Sequence, residues 1–166
     1  MHRNVKRVII ISVVAVVGGL AYYLGSPLFL NTIVNESSPV QLDRENEINL
    51  SEEALGIEIG GVLISGSFVG ADDFHSSSGD ALLIRSDSGE LFLRFENFEV
   101  RNGPDLYVYL ARSTDIGDGF VNLGRLTGNI GDQNYQVSSD VEISEFNTVL
   151  IWCRAFVVLF GSAEMS

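Results

Sequence analysis

Residues 148–160, from Thr148 to Phe160, read TVLIWCRAFVVLF, and Arg154 is the single charged residue among them. Val149, Ile151, Cys153, Ala155 and Val157 form one alternating row, and the positions between them are apolar apart from Arg154. A strand with one solvated face alternates apolar and polar residues, whereas apolar residues on both faces indicate a strand covered on each side. The segment is therefore read as one final strand, Thr148–Phe160, lying inside a β structure.

Working outward, shorter runs of the same kind alternate with glycine-rich punctuation from Ile57 onward. Gly61–Val69 (GVLISGSFV) is one run. Ala81–Arg85 and Glu90–Val100 (ELFLRFENFEV) flank Asp87-Ser88-Gly89, a hairpin turn signal. Leu91, Leu93 and Phe95 share a face, while Phe98 and Val100 fall out of phase with them, which predicts a bulge near Asn97. Asn102-Gly103-Pro104-Asp105 is a turn, with Gly103 expected in a conformation that side chains disfavour. It leads into a strand over Leu106–Ala111. Asn122–Leu126 and Gly131–Val137 supply two more strands. Ser139 and Glu142 have capping-box spacing, which predicts one helical turn before the final strand. Short strands at this spacing, without a long amphipathic helix or internal repeat, predict an all-β fold, an antiparallel β-sandwich or partly closed barrel.

One transmembrane helix is expected ahead of it. Val8–Leu24 (VIIISVVAVVGGLAYYL) carries no charge and would span about 26 Å as a helix, against a hydrocarbon core of roughly 30 Å. Arg3, Lys6 and Arg7 precede it, so the positive-inside rule keeps the N-terminus cytoplasmic and puts the C-terminal domain outside. A cleaved signal peptide is the competing reading, but Ala21 is followed by two tyrosines and Leu24 rather than by a small-residue cleavage site. The expected organisation is a cytoplasmic tail and anchor over 1–30, a polar linker over 31–55 and the β domain over 56–166. The linker holds two glycosylation sequons, at Asn35 and Asn49.

Charge narrows the function. Beyond the apolar segment stand seven arginines against 22 acidic residues, a net charge of −15. Such a body repels phosphate backbones and disfavours nucleic-acid binding. It contains no lysine, which excludes lysine-based covalent chemistry. Its single cysteine, Cys153, rules out an internal disulfide framework.

Hydrolase and nucleotide motifs (GxSxG, HExxH, P-loop) and CxxC are missing. Asp72-Asp73-Phe74-His75 places three ligand-type side chains, Asp72, Asp73 and His75, in four residues; a solvated acidic loop is the plainer alternative. Asp115, Asp118 and Gly119 suggest a calcium loop but lack the EF-hand spacing. Cys153, in its apolar row, reads from the residues alone as a small, inert core side chain.

Several stretches carry a family resemblance. They are Phe74-His75 with Gly79; Leu93–Phe98; Asn102-Gly103-Pro104-Asp105-Leu106-Tyr107-Val108-Tyr109-Leu110; Leu123-Gly124 with Leu126; Gly128, Gly131, Asn134 and Tyr135; and Trp152-Cys153 through Phe160-Gly161. Together they resemble the DM-thirteen domain, found beside DOMON domains in Skeletor-type proteins and regarded as an electron-transfer module. The likeness covers Ile59 to Met165, and its NGPDLxVYL and WCxxFxVxFG stretches are distinctive. ALLIR at residues 81–85 departs from the threonine and valine that the family prefers there. The resemblance implies a redox role for Cys153, as a bare thiol or as the attachment point of a prosthetic group, with the family's first-loop histidine at His75. It also implies a redox partner protein. The alternative is a non-catalytic binding or structural ectodomain in which Cys153 is core.

Overall fold

The structure is a computed structural model, and its described residues are 2–25, 30–40 and 61–166. Pro27, the sequon at Asn49 and the expected domain start at 56 lie outside them. Helix α1 (His2–Gly25) contains a 19-residue stretch, Asn4–Tyr22, long and apolar enough to cross a membrane, with a mean hydropathy of 1.9. Its side chains from Asn4 to Tyr22 are all exposed.

Nine strands follow: β1 (Ile33–Asn35), β2 (Gly61–Gly70), β3 (Ser77–Arg85), β4 (Leu91–Val100), β5 (Leu106–Ala111), β6 (Phe120–Arg125), β7 (Ile130–Val137), β8 (Thr148–Cys153) and β9 (Val158–Glu164). They form one sheet in the order β1-β7-β4-β3-β2-β9-β8-β5-β6. Every pair is antiparallel except β1 with β7. β2 turns the corner: Gly61–Ser67 pairs with β3, and Phe68–Gly70 pairs with β9. The sheet curls until β6 approaches β7, giving a half-barrel, the partly closed form of the expected all-β fold.

The concave side holds one core, including Leu93, Phe95, Phe98, Val108, Val149, Ile151 and Cys153. The bulge expected near Asn97 is present. The β4–β7 register shifts between Phe95 and Glu99, and Asn97 takes φ 50, which asparagine tolerates better than most residues. The extra residue lets both phase sets of β4 face inward, so Phe95 and Phe98 are both buried. Opposite, Gly79 at φ 100 gives room: an added Cβ would lie 2.6 Å from the Asn97 carbonyl oxygen. The Asp87-Ser88-Gly89 turn also forms, with Gly89 at φ 83 and Ser86 N–H donating to the Glu90 carbonyl at 2.8 Å.

Three expectations need correction. The run Thr148–Phe160 is two strands, because Arg154–Val157 makes a turn and β9 folds back against β8. Ala155, Phe156 and Val157 therefore leave the apolar row and are exposed. The outer side of β8 is still apolar, since Leu150 packs with Tyr109, Ala111, Trp152 and Leu159 in a second small cluster. Ser139 caps nothing: the helical turn is a 3-10 turn at Ile143–Glu145, starting from Glu142 without a side-chain cap. Finally, residues 33–35 of the polar segment are a strand. The Glu36 amide donates to the Asp132 carbonyl at 2.9 Å, and the Glu36 carboxylate accepts from the Asn134 amide at 2.7 Å.

Candidate functional site

Cys153 is the last residue of β8, where the half-barrel opens into loops. Loops 71–76, 101–105, 126–129 and 154–157 and the first residues of the domain, 30–32, meet at this end. Backbone bonds tie them: Arg101 N–H to the Ser76 carbonyl at 3.0 Å, Arg154 N–H to the Asp105 carbonyl at 3.0 Å, and Val100 N–H to the Asn129 carbonyl at 2.9 Å. The 126–129 loop is fixed from inside by fully buried Gln133, which donates to the Gly128 carbonyl at 2.8 Å and accepts from Gly128 N–H at 3.1 Å.

Cys153 is completely buried. Its partners across the sheet are Leu106 on β5 and Val158 on β9, and its thiol is free, with no hydrogen bond to it among the described residues. Arg154 points away, with its guanidinium 4.3 Å above the Tyr107 ring. Over the neighbouring positions lies Gly103, whose φ is not in the left-handed region, contrary to expectation. The glycine leaves room for two side chains: an added Cβ would lie 2.8 Å from Leu106 Cδ2 and 2.9 Å from Phe160 Cζ, and both would have to shift.

Phe160 links this region to His75, their ring centroids 4.5 Å apart. His75 Nδ1 meets Asp72 Oδ2 at 2.7 Å, and Asp72 Oδ1 accepts from the Phe74 and His75 amides at 2.8 and 2.7 Å. The hydrogen bond from the His75 ring, followed by that from its amide, lowers the Asp72 pKa to about 2. The structure thus joins His75 to Asp72 and sets it edge-on against Phe160, but no hydrogen bond joins it to Cys153. Asp73 takes no part. Among the described residues no group of three His, Cys, Asp or Glu is placed to hold a metal. Asp115 accepts from Gly117 N–H at 2.8 Å and Asp118 from the Ser113 hydroxyl at 2.6 Å, so both are engaged in shaping their own loop.

A cleft of about 260 Å³ opens beside the site, between Leu30 and Thr32, the turn Asn102-Gly103-Pro104, and the loop from Leu126 to Asn129. Its floor includes Leu106 but not Cys153. A prosthetic group attached at Cys153 does not fit this arrangement, because the thiol is fully buried and does not line the cleft. A larger cleft of about 730 Å³ lies at the opposite end of the half-barrel, around Arg85, Glu90 and Glu142. Sequence reasoning singled out Cys153 and His75 but not Phe160 as the ring beside His75. The bulge in β9 that turns Phe160 inward has no signal in the residue pattern.

No curated protein and no solved structure matches the chain. The family model described as "Electron transfer DM13" matches residues 67–165, which are 99 of the 166 residues and include both His75 and Cys153. The chain belongs to the DM13 electron-transfer family.

Proposed function

We propose that this protein is an electron-transfer domain held on the outer face of a membrane by α1, and that it exchanges electrons with a redox partner protein through Cys153. The observation that carries this reading is the family match, which includes the chain's only cysteine. Arg3, Lys6 and Arg7 lie on one side of the apolar helix and all acidic residues on the other, which supports the outward orientation.

Burial limits the chemistry. One cysteine cannot form an internal disulfide, and an unpaired charge is costly in an apolar site. In a one-electron step the Cys153 S–H bond breaks, the electron passing to the oxidised redox partner and the proton to water admitted by local opening of the loops over it, which leaves a neutral thiyl sulfur. The domain's enclosure of Cys153 then acts as insulation, keeping the thiol from reagents and from other chains. His75, oriented by Asp72, stands at the same end of the half-barrel.

The full chain, purified in detergent, should exchange electrons with mediator dyes, and Cys153→Ala should abolish the exchange while leaving the domain folded. A second reading is favoured by the completely buried, unbonded thiol: a binding or structural ectodomain with Cys153 as core. Identical behaviour of wild type and Cys153→Ala would establish that second reading instead.

A further inference from the structure

The two ends of the half-barrel differ in charge and in apolar exposure. Loops 71–76, 101–105, 126–129 and 154–157 carry three acidic residues and two arginines, a net charge of −1, and Arg125 adjoins them. At the opposite end, segments 86–90, 112–119 and 138–147 carry seven acidic residues and one arginine, a net charge of −6.

Apolar exposure runs the other way. Leu30, Phe74, Phe156 and Val157, at the Cys153 end, are 60, 62, 69 and 72% exposed. Val157 also sits at φ 54, which is unfavourable for a β-branched residue, so the turn bears strain while displaying two large apolar side chains. Arginines accompany them: Arg101 is exposed with its guanidinium 4.5 Å over the Phe74 ring, and Arg154, in the same turn as Phe156, is exposed with its guanidinium over the Tyr107 ring.

The covalent chain places this end near α1. The helix ends at Gly25, and Leu30 is already held on the domain, its carbonyl accepting from Asn102 Nδ2 at 3.2 Å. Five residue steps reach at most about 18 Å, whereas a ten-residue strand such as β2 runs about 33 Å.

From these observations we infer that the Cys153 end of the domain is a lipid-contacting surface. Phe156, Val157 and Phe74 enter the headgroup region of the bilayer that α1 spans, and Arg101 and Arg154 face lipid phosphates. The acidic far end is repelled by an anionic surface, which fixes the orientation. This inference rests on α1 being an uncleaved anchor.

The test uses the full chain in phospholipid vesicles containing some anionic lipid, in a Trp152→Phe background. Single reporters are Phe156→Trp at the proposed surface and Phe120→Trp at the far end; Phe74→Trp replaces the first if that variant does not fold. Lipids brominated high on the acyl chain should quench the 156 reporter and shift its emission to the blue, and leave the 120 reporter unquenched. If the chain resists alkaline carbonate yet neither reporter is quenched, the anchor stands and the surface is refuted. Blue-shifted emission without lipid quenching means that protein covers this end, by self-association or otherwise, and also refutes it. A chain released by carbonate, or beginning after Gly25, overturns the anchor and the surface together.

Discussion

Arg94 points away from the core yet is only 4% exposed. Its guanidinium donates to Glu96 at 2.8 Å, Asp132 at 3.0 Å, Asn134 at 3.0 Å and the Glu36 carbonyl at 3.1 Å. Arg94→Leu would leave two carboxylates facing each other and release the segment around Glu36. Both carboxylates are partly solvated, so the expected loss is about 1–3 kcal/mol, read from urea unfolding. Arg94→Lys should recover little, because one ammonium cannot serve four separated acceptors. A stability equal to wild type in Arg94→Leu would show that the network contributes nothing net. At the opposite corner, Asp72 is held at about 2 rather than 3.8, chiefly by the His75 ring. A depressed carboxylate pKa stabilises the fold above the unfolded-state value, and that contribution fades as pH falls through the folded-state value. The difference in melting temperature between wild type and Asp72→Asn should therefore be full above pH 4 and shrink toward pH 2. A difference constant across that window would rule out the Asp72–His75 bond as its source.

Among the elements, β1 is the one that composition concealed. Asn35, Glu36, Ser37 and Ser38 read as a solvated spacer, and a three-residue strand has too little periodicity to stand out. What seats it is long-range: Asn129, Asn134 and Arg94 all reach residues 31–37. Gly131 permits the approach, at φ 100 with no room for a Cβ against the Val34 carbonyl oxygen. Gly131→Val should expel β1. The Glu36 amide, bonded to the Asp132 carbonyl at 2.9 Å, should then exchange hydrogen freely while the β8 amides stay protected. Retained protection at Glu36 would show that side-chain bonds alone hold the strand. The split of 148–160 was hidden for a related reason. Its turn, Arg154-Ala155-Phe156-Val157, contains none of the glycine, proline or asparagine that mark turns, and apolar residues continue across it. By contrast the β4 bulge was legible, because Leu93, Phe95, Phe98 and Val100 cannot all face one core without an extra residue between them.

At the scale of the molecule, alternation and turn spacing disclosed an all-β fold but not its closure, since curling depends on how β2 changes partners between β3 and β9. The candidate site was legible in its residue types and not in its geometry. Cys153 and His75 lie at the same end of the half-barrel, with Phe160 against the imidazole and Leu106 across from the cysteine. If that end rests on lipid, a redox partner reaches Cys153 along the membrane surface. A buried sulfur that exchanges electrons while remaining neutral must lose a proton with its electron, so the midpoint potential of Cys153 depends on pH. With one proton leaving per electron, the potential of the full chain in detergent should fall by about 59 mV per pH unit, and Cys153→Ala should give no wave. A wave that persists in Cys153→Ala, or one whose potential does not move with pH, would contradict the account.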